Sequence, residues 1–372
     1  MSIHTEFLTQ VKKDCLQDNK GCIGYLSIQV PEEIIIAAGK IPFRVFGRGR
    51  PVKLANAYLP KTFDPYILDS LEGALDGSYA FLDGTVIANT SDAHRRLYDV
   101  WRLAAGPMRT FFLDVPKSAN ALGLKAFRLA LSFFVKDIEK TLGLKISEEG
   151  LRDAMRLCNK TRFLLRELSE ARKGLCPPFS GKEFFEIIRW SQTSDKQRVN
   201  EIVEEYCKKW RNTGNDIVQP KDAECGVCGP RILLTGSFMG SPDLIALIER
   251  LGAVVVYEDL CTGAQYFSSC VEEDSEEALD ALARRYLSLP QARMVDTEAR
   301  WNYLLQMVND YHVDGVIYFA LKFDDIHLFE YPHIRNKFQR AGYPVLYIEA
   351  ENFLTTSGQI ETRVQAFIEM LE

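Results

Sequence analysis

Short apolar runs alternate with helical patterns over both ends of this 372-residue chain, and that alternation limits its fold more than any other feature. Strands of a parallel sheet covered on both faces read as near-continuous apolar runs, because neither face meets water. In the first part such runs are Cys22 to Ile28, Ile41 to Phe46, Gly84 to Ala88 and Met108 to Leu113. Between them lie helical stretches opened by Pro31 and closed by Gly39, then from about Asp64 to Gly77, and from His94 to Trp101. Pro is tolerated in a first helical turn, and Gly readily ends a helix in a left-handed conformation.

The middle has another character. From Leu122 to Trp210 no strand pattern is legible, whereas Phe127, Leu131, Phe134, Ile138 and Leu142 recur at helical spacing. Gly143 ends that helix, Ser147 opens another running to about Lys173, and Ser180 with Glu183 has the form of a capping box. After Arg231 the alternation resumes. Strands are expected at Arg231 to Thr235, Ala253 to Tyr257, Val316 to Ala320 and Val345 to Ile348, with a helix capped by Ser241 and Pro242. Further helices are expected near Glu276 to Leu287, Glu298 to Tyr311 and up to Glu372.

The two α/β parts share one plan. Leu82-Asp83-Gly84-Thr85-Val86-Ile87, running to Thr90-Ser91-Asp92, is echoed by Val313-Asp314-Gly315-Val316-Ile317, running to Phe323-Asp324-Asp325. The following strand, Thr110 to Asp114, is matched by Val345 to Glu349. The expected fold is α/β: two flavodoxin-like (Rossmann-like) parallel-sheet domains, residues 1–120 and 226–372, flanking a helical middle domain, residues 121–225.

A net charge of −6 argues against a general nucleic-acid binder, which needs a surplus of Lys and Arg on one face. No run approaches the roughly 20 apolar residues of a membrane helix, and no secretion signal opens the chain. Nine scattered cysteines fit free thiols in a reducing compartment, so the expectation is a cytoplasmic protein without nucleic-acid or membrane partners.

In open α/β sheets, ligands bind beyond the carboxyl ends of the strands. That rule selects Gln29, the turn from Asn89 to Asp92 and Asp114 in the first part. In the last part it selects Ser237, the segments Glu258 to Gly263 and Lys322 to Asp325, and Glu349.

Several of these segments, taken in order, resemble the 2-hydroxyacyl-CoA dehydratase and benzoyl-CoA reductase family, specifically its smaller, beta-type subunits. The resemblance is carried by Tyr25 to Gly39, Asp83-Gly84, Asn89-Thr90-Ser91-Asp92 with Arg95 to Asp99, Leu234-Thr235-Gly236, Glu258-Asp259-Leu260-Cys261 and Lys322-Phe323-Asp324-Asp325. It spans nearly the whole chain and is weakest in the helical middle. It implies one subunit of an oxygen-sensitive heterodimeric iron–sulfur enzyme of anaerobic metabolism, acting on an acyl-CoA substrate. The implied partners are a larger homologous cluster-bearing subunit and an ATP-dependent activator protein that supplies one electron.

The sequence departs from that pattern where the cluster ligands are expected. Asp64, Ser91, Cys261 and Asp324 occupy the four cluster-position equivalents, and one thiol among four is a poor set for a [4Fe–4S] cluster. The expected cluster therefore belongs to the partner subunit, and this chain carries none or an atypical one. Three functional readings stand at this point: an enzyme subunit, a non-catalytic assembly subunit that shapes the partner's site and docks the activator, and a metal or redox protein using Cys225 and Cys228. That Cys-x-x-Cys pair has metal or redox spacing. Arg44, Arg48 and Arg50 form a basic run suited to CoA phosphates. His94 is the best-placed histidine, and no catalytic residue can be assigned from sequence order.

Overall fold

The computed structural model describes residues 20–106, 109–175, 177–212, 229–351 and 358–372. Cys225 and Cys228 lie outside the described residues.

Among the described residues, eight strands form two four-stranded sheets in which every neighbouring pair is parallel. The first holds β1 (Cys22–Tyr25), β2 (Ile41–Arg44), β3 (Leu82–Ala88) and β4 (Arg109–Leu113) in the order β2-β1-β3-β4. The second holds β5 (Arg231–Gly236), β6 (Val254–Asp259), β7 (Gly315–Leu321) and β8 (Val345–Ala350) in the order β6-β5-β7-β8. The two orders are the same doubly wound plan, each reversing beside its first strand. The flavodoxin-like expectation holds for both sheets. β5, β6 and β7 are buried along their whole length, which is why they read as uninterrupted apolar runs.

Helices follow the strands in turn: α1 (Glu32–Ala37), α2 (Pro65–Leu75) and α3 (Asp92–Ala104) in the first part. The middle contributes α4 (Ala121–Leu142), α5 (Glu148–Ala171), α6 (Gly181–Ser191) and α7 (Lys196–Asn212). The last part adds α8 (Asp243–Arg250), α9 (Ala278–Leu287), α10 (Thr297–Asp310), α11 (Asp325–Arg340) and α12 (Gly358–Leu371). Helix α4 buries the expected stripe of Phe127, Leu131, Phe134 and Ile138 and stops at Gly143, which is left-handed at φ 67°. Ser147 caps α5 through the Gly150 N–H, and the Ser180–Glu183 capping box of α6 is complete. Between β7 and β8 runs α11, a helix that Pro332 hides from sequence periodicity. At α8, Pro242 occupies the N-cap without a side-chain cap, and Ser241 Oγ instead accepts from Asp243 N at 3.2 Å.

Buried ion pairs join the parts. Glu33 of α1 accepts from Arg162 of α5 at 2.7 Å, and Glu32 meets Lys196 Nζ at 3.0 Å, with all four side chains nearly inaccessible. Arg172, just after α5, grips Glu258 of β6 at 2.5 and 2.8 Å with neither side chain exposed. Burying a charge is costly unless it is paired, so these contacts help fix how the helices sit against both sheets. Tyr66 of α2 stacks on Phe238 of the second α/β part at a ring separation of 3.7 Å. No helix among the described residues is long and apolar enough to cross a membrane.

Candidate functional site

The carboxyl ends of the two sheets enclose a cavity of about 100 Å³, and Asp64, Ser91, Cys261 and Asp324 all line it. Each arrives from a different element. Asp64 is the N-cap of α2, accepting from Tyr66 N at 2.8 Å. Ser91 is the N-cap of α3, accepting from His94 N at 3.2 Å. Cys261 follows β6, and Asp324 forms the corner between β7 and α11. Four positions far apart in the chain thus meet in one place. The loop after β5 can pass close because Gly236 has φ 130°, and a Cβ there would lie 1.9 Å from the Phe319 carbonyl oxygen.

The cavity lining mixes polar and apolar side chains, many of them buried. Burial, and then the charge of Asp324, hold the Asp64 carboxyl well above the usual carboxylate range. Burial pushes the Cys261 thiol up to about 11, against the pull of Arg44 and with the repulsion of Asp324 and Asp64. The His94 imidazole is driven down to about 3 by burial, then by Arg44 and Arg293, while its Nδ1 lies 2.8 Å from Ser91 Oγ. It is therefore neutral at physiological pH and, in this closed setting, orders Ser91.

Arg44 ends β2 with its side chain 1% exposed, its guanidinium 5.4 Å from the Tyr25 ring centre and 5.9 Å from that of Phe238. Its Nη2 lies 3.8 Å from Cys261 Sγ. Behind Asp324 stands a second charged layer. His327 Nε2 is 4.0 Å from Asp324, Glu330 accepts from Tyr318 OH at 2.7 Å, and Arg300 joins Glu330 (3.0 Å) to Asp259 (2.7 Å). Burial opposes charge on His327, but Asp324 and Glu330 outweigh it and raise its pKa.

Outside the cavity lies a cleft of about 440 Å³ that shares Asp64, Ser91, Arg293 and Asp324 with it. Arg293 donates to the carbonyls of Thr90, Val115 and Pro116, clamping the loop before α10 onto the first sheet. No sequence pattern marks Arg293, Arg300 or Glu330, since each matters only through partners far away in the chain.

The run of Arg44, Arg48 and Arg50 separates in space. Arg44 faces the cavity; Arg48 is spent on Asp69 (3.4 Å) and Asp76 (2.5 Å); Arg50 lines a second cleft outside. Gln29 lines the inner cavity, whereas Asn89 and Asp114, joined by a hydrogen bond of 2.7 Å, line neither it nor the outer cleft.

A model of the family described as "2-hydroxyglutaryl-CoA dehydratase, D-component" matches residues 27–371. The chain belongs to that family. The chain is 26% identical to the (R)-phenyllactyl-CoA dehydratase beta subunit of Clostridium sporogenes, over 97% of this chain and 94% of the relative. It is 24% identical to the beta subunit of (R)-2-hydroxyglutaryl-CoA dehydratase from Acidaminococcus fermentans, over 95% and 93%. It is likewise 24% identical to a subunit of benzoyl-CoA reductase from Thauera aromatica, over 91% and 87%.

For this member of the D-component family, the donor chemistry does not fit an ordinary [4Fe–4S] cluster. The cavity offers a single thiol beside two carboxyls and a hydroxyl already engaged in capping a helix. Iron in such clusters takes thiolates.

Proposed function

We propose that this chain is the beta-type member of a heterodimeric acyl-CoA enzyme, a 2-hydroxyacyl-CoA dehydratase or an aromatic acyl-CoA reductase. Its partner is a larger homologous subunit that bears the [4Fe–4S] cluster, charged by an ATP-dependent activator. The observation that carries this reading is the convergence of Asp64, Ser91, Cys261 and Asp324 on one cavity with one thiol among four groups. The relatives' names, each a subunit of a CoA-thioester dehydratase or reductase, support the substrate class.

In this reading electron delivery belongs to the partner, and this chain supplies a rigid two-sheet frame with an acyl-CoA cleft. His327, backed by Glu330 and Arg300, stands beside Asp324 on one wall of the cleft, and Arg293 fixes the loop that forms another. The test is anaerobic co-expression with a larger, cysteine-complete homologue from the same source, followed by turnover of 2-hydroxyacyl-CoA and benzoyl-CoA thioesters. Turnover that requires both chains supports the proposal; full activity of the partner without this chain contradicts it.

A further inference from the structure

On the far side of Phe323 from the outer cleft lies a second cleft of about 540 Å³. We infer that this second cleft is a phosphorylated-nucleotide site that takes the nucleotide end of a CoA thioester, with Phe323 as the ring platform between the two clefts. The inference rests on the acyl-CoA reading and assigns residues to its most highly charged part.

Charge is the first argument. Arg50, Lys61 and Lys322 line the cleft. Lys322 is paired with Glu351 at 2.7 Å, whereas Arg50 and Lys61 have no ion-pair partner among the described residues. The carboxylate of Asp69, also in the wall, is occupied by the backbone N–H groups of Arg48 and Gly49 at 2.6 and 2.9 Å. Two free cations above a concave surface on an acidic protein favour a ligand with clustered negative charge, and guanidinium and ammonium groups both bind phosphate oxygens.

Shape is the second. Phe63 and Phe323 supply flat apolar walls, and a purine ring stacks on such faces. Phe323 is held outward at a cost. It has φ 66°, a conformation that bulky residues rarely adopt, and its side chain is 43% exposed. The strain follows from the corner itself: Lys322 N is still bonded to Ala350 O at 3.0 Å as the last rung of the sheet, and Asp324 N already turns back to Leu321 O at 3.2 Å. One residue must make the reversal, and it carries an aromatic ring that lines both clefts. A nucleotide anchored at Arg50 and Lys61 would send its pantetheine arm over that ring toward Asp64 and Asp324.

The test uses the complex of this chain with its partner and isothermal titration with CoA, 3′-dephospho-CoA and ADP. Variants are Arg50→Glu/Lys61→Glu, Phe323→Leu and Phe323→Tyr, with Lys125→Glu on exposed α4 as the charge control. The expected result is CoA binding that weakens about tenfold or more in the double reversal. It should also weaken in Phe323→Leu, recover in Phe323→Tyr, and lose part of its salt dependence with the two cations. Dephospho-CoA binding nearly as weakly to wild type as CoA does to the double reversal assigns the cations to the 3′-phosphate; ADP binding as tightly as CoA overturns the CoA assignment. Unchanged CoA affinity and KM in the double reversal, in a complex that still turns over CoA thioesters, overturns the cleft and leaves the acyl-CoA reading intact. A wild-type complex with neither CoA binding nor turnover overturns both.

Discussion

Arg44 Nη2 lies 3.8 Å from Cys261 Sγ, so the last residue of a strand in one sheet touches the residue beyond a strand in the other. Both residues line the cavity. The contact places a permanent cation beside the one thiol at the site, yet burial outweighs it, and the Cys261 thiol stays high, at about 11. Alkylation of Cys261 by iodoacetamide is therefore expected to be slow at pH 8 and to rise about tenfold per pH unit toward pH 11, because the thiolate is the nucleophile. Peptide-resolved mass spectrometry follows it beside exposed Cys270. Rapid labelling of Cys261 in the folded protein at neutral pH contradicts this picture.

Asp64 predicts a pH-dependent stability of definite sign. Its folded pKa is raised above the ordinary value near 3.8, first by burial and then by Asp324. The protonated form is the one the fold prefers, so its contribution is complete below about pH 4 and is lost as pH rises through the folded pKa. Asp64→Asn keeps an N-cap for α2 and removes the charge. The variant should melt several degrees above wild type at pH 7, with the difference vanishing toward pH 3 in thermal scans. A lower melting temperature at pH 7 would mean that the carboxylate is stabilising.

The Arg172–Glu258 pair is wholly buried and doubly hydrogen-bonded, and Arg172 also reaches the Val255 carbonyl. Breaking such a pair leaves an uncompensated charge. Glu258→Gln and Arg172→Met should each cost on the order of 3–5 kcal/mol, read as a fall in the urea midpoint. Removing both should cost less than the sum of the two single changes.

At the surface, Ser180→Ala deletes the side chain that accepts from Glu183 N at 3.1 Å. The expected loss is about 1 kcal/mol, the usual scale for an N-cap. A loss confined to protection of the first turn of α6 in hydrogen exchange would show the cap to be local.

Much of the fold is legible in the sequence because burial on both faces leaves a plain apolar signature. The eight strands among the described residues lie where the runs of Val, Ile, Leu and Phe place them, and the capping box at Ser180 is read from four letters. Helix α11 is not, because Pro332 removes a donor and interrupts the pattern, although the helix tolerates it. The candidate site is only half legible. The rule of strand ends points to Ser91, Cys261 and the Asp324 corner, but their meeting with Asp64 depends on how two sheets face each other. Buried pairs such as Arg162–Glu33 and Arg172–Glu258 determine that, and their members lie 129 and 86 residues apart. The arginine run shows the limit most clearly. Arg44 ends a strand and points inward, Arg48 sits between Gly47 and Gly49 at φ 76° and 64° and wraps around Asp69, and Arg50 emerges. Three similar letters acquire three separate roles from backbone turns that composition does not encode.

We propose that Asp64, Ser91, Cys261 and Asp324 cannot together hold an ordinary cubane. The most direct test is anaerobic purification with the partner, chemical separation of the two chains and assay of iron and acid-labile sulfide on each. Iron and sulfide should remain with the partner, while this chain lacks the broad visible absorption of a cluster. A full cluster's complement of iron and sulfide on this chain would contradict the account.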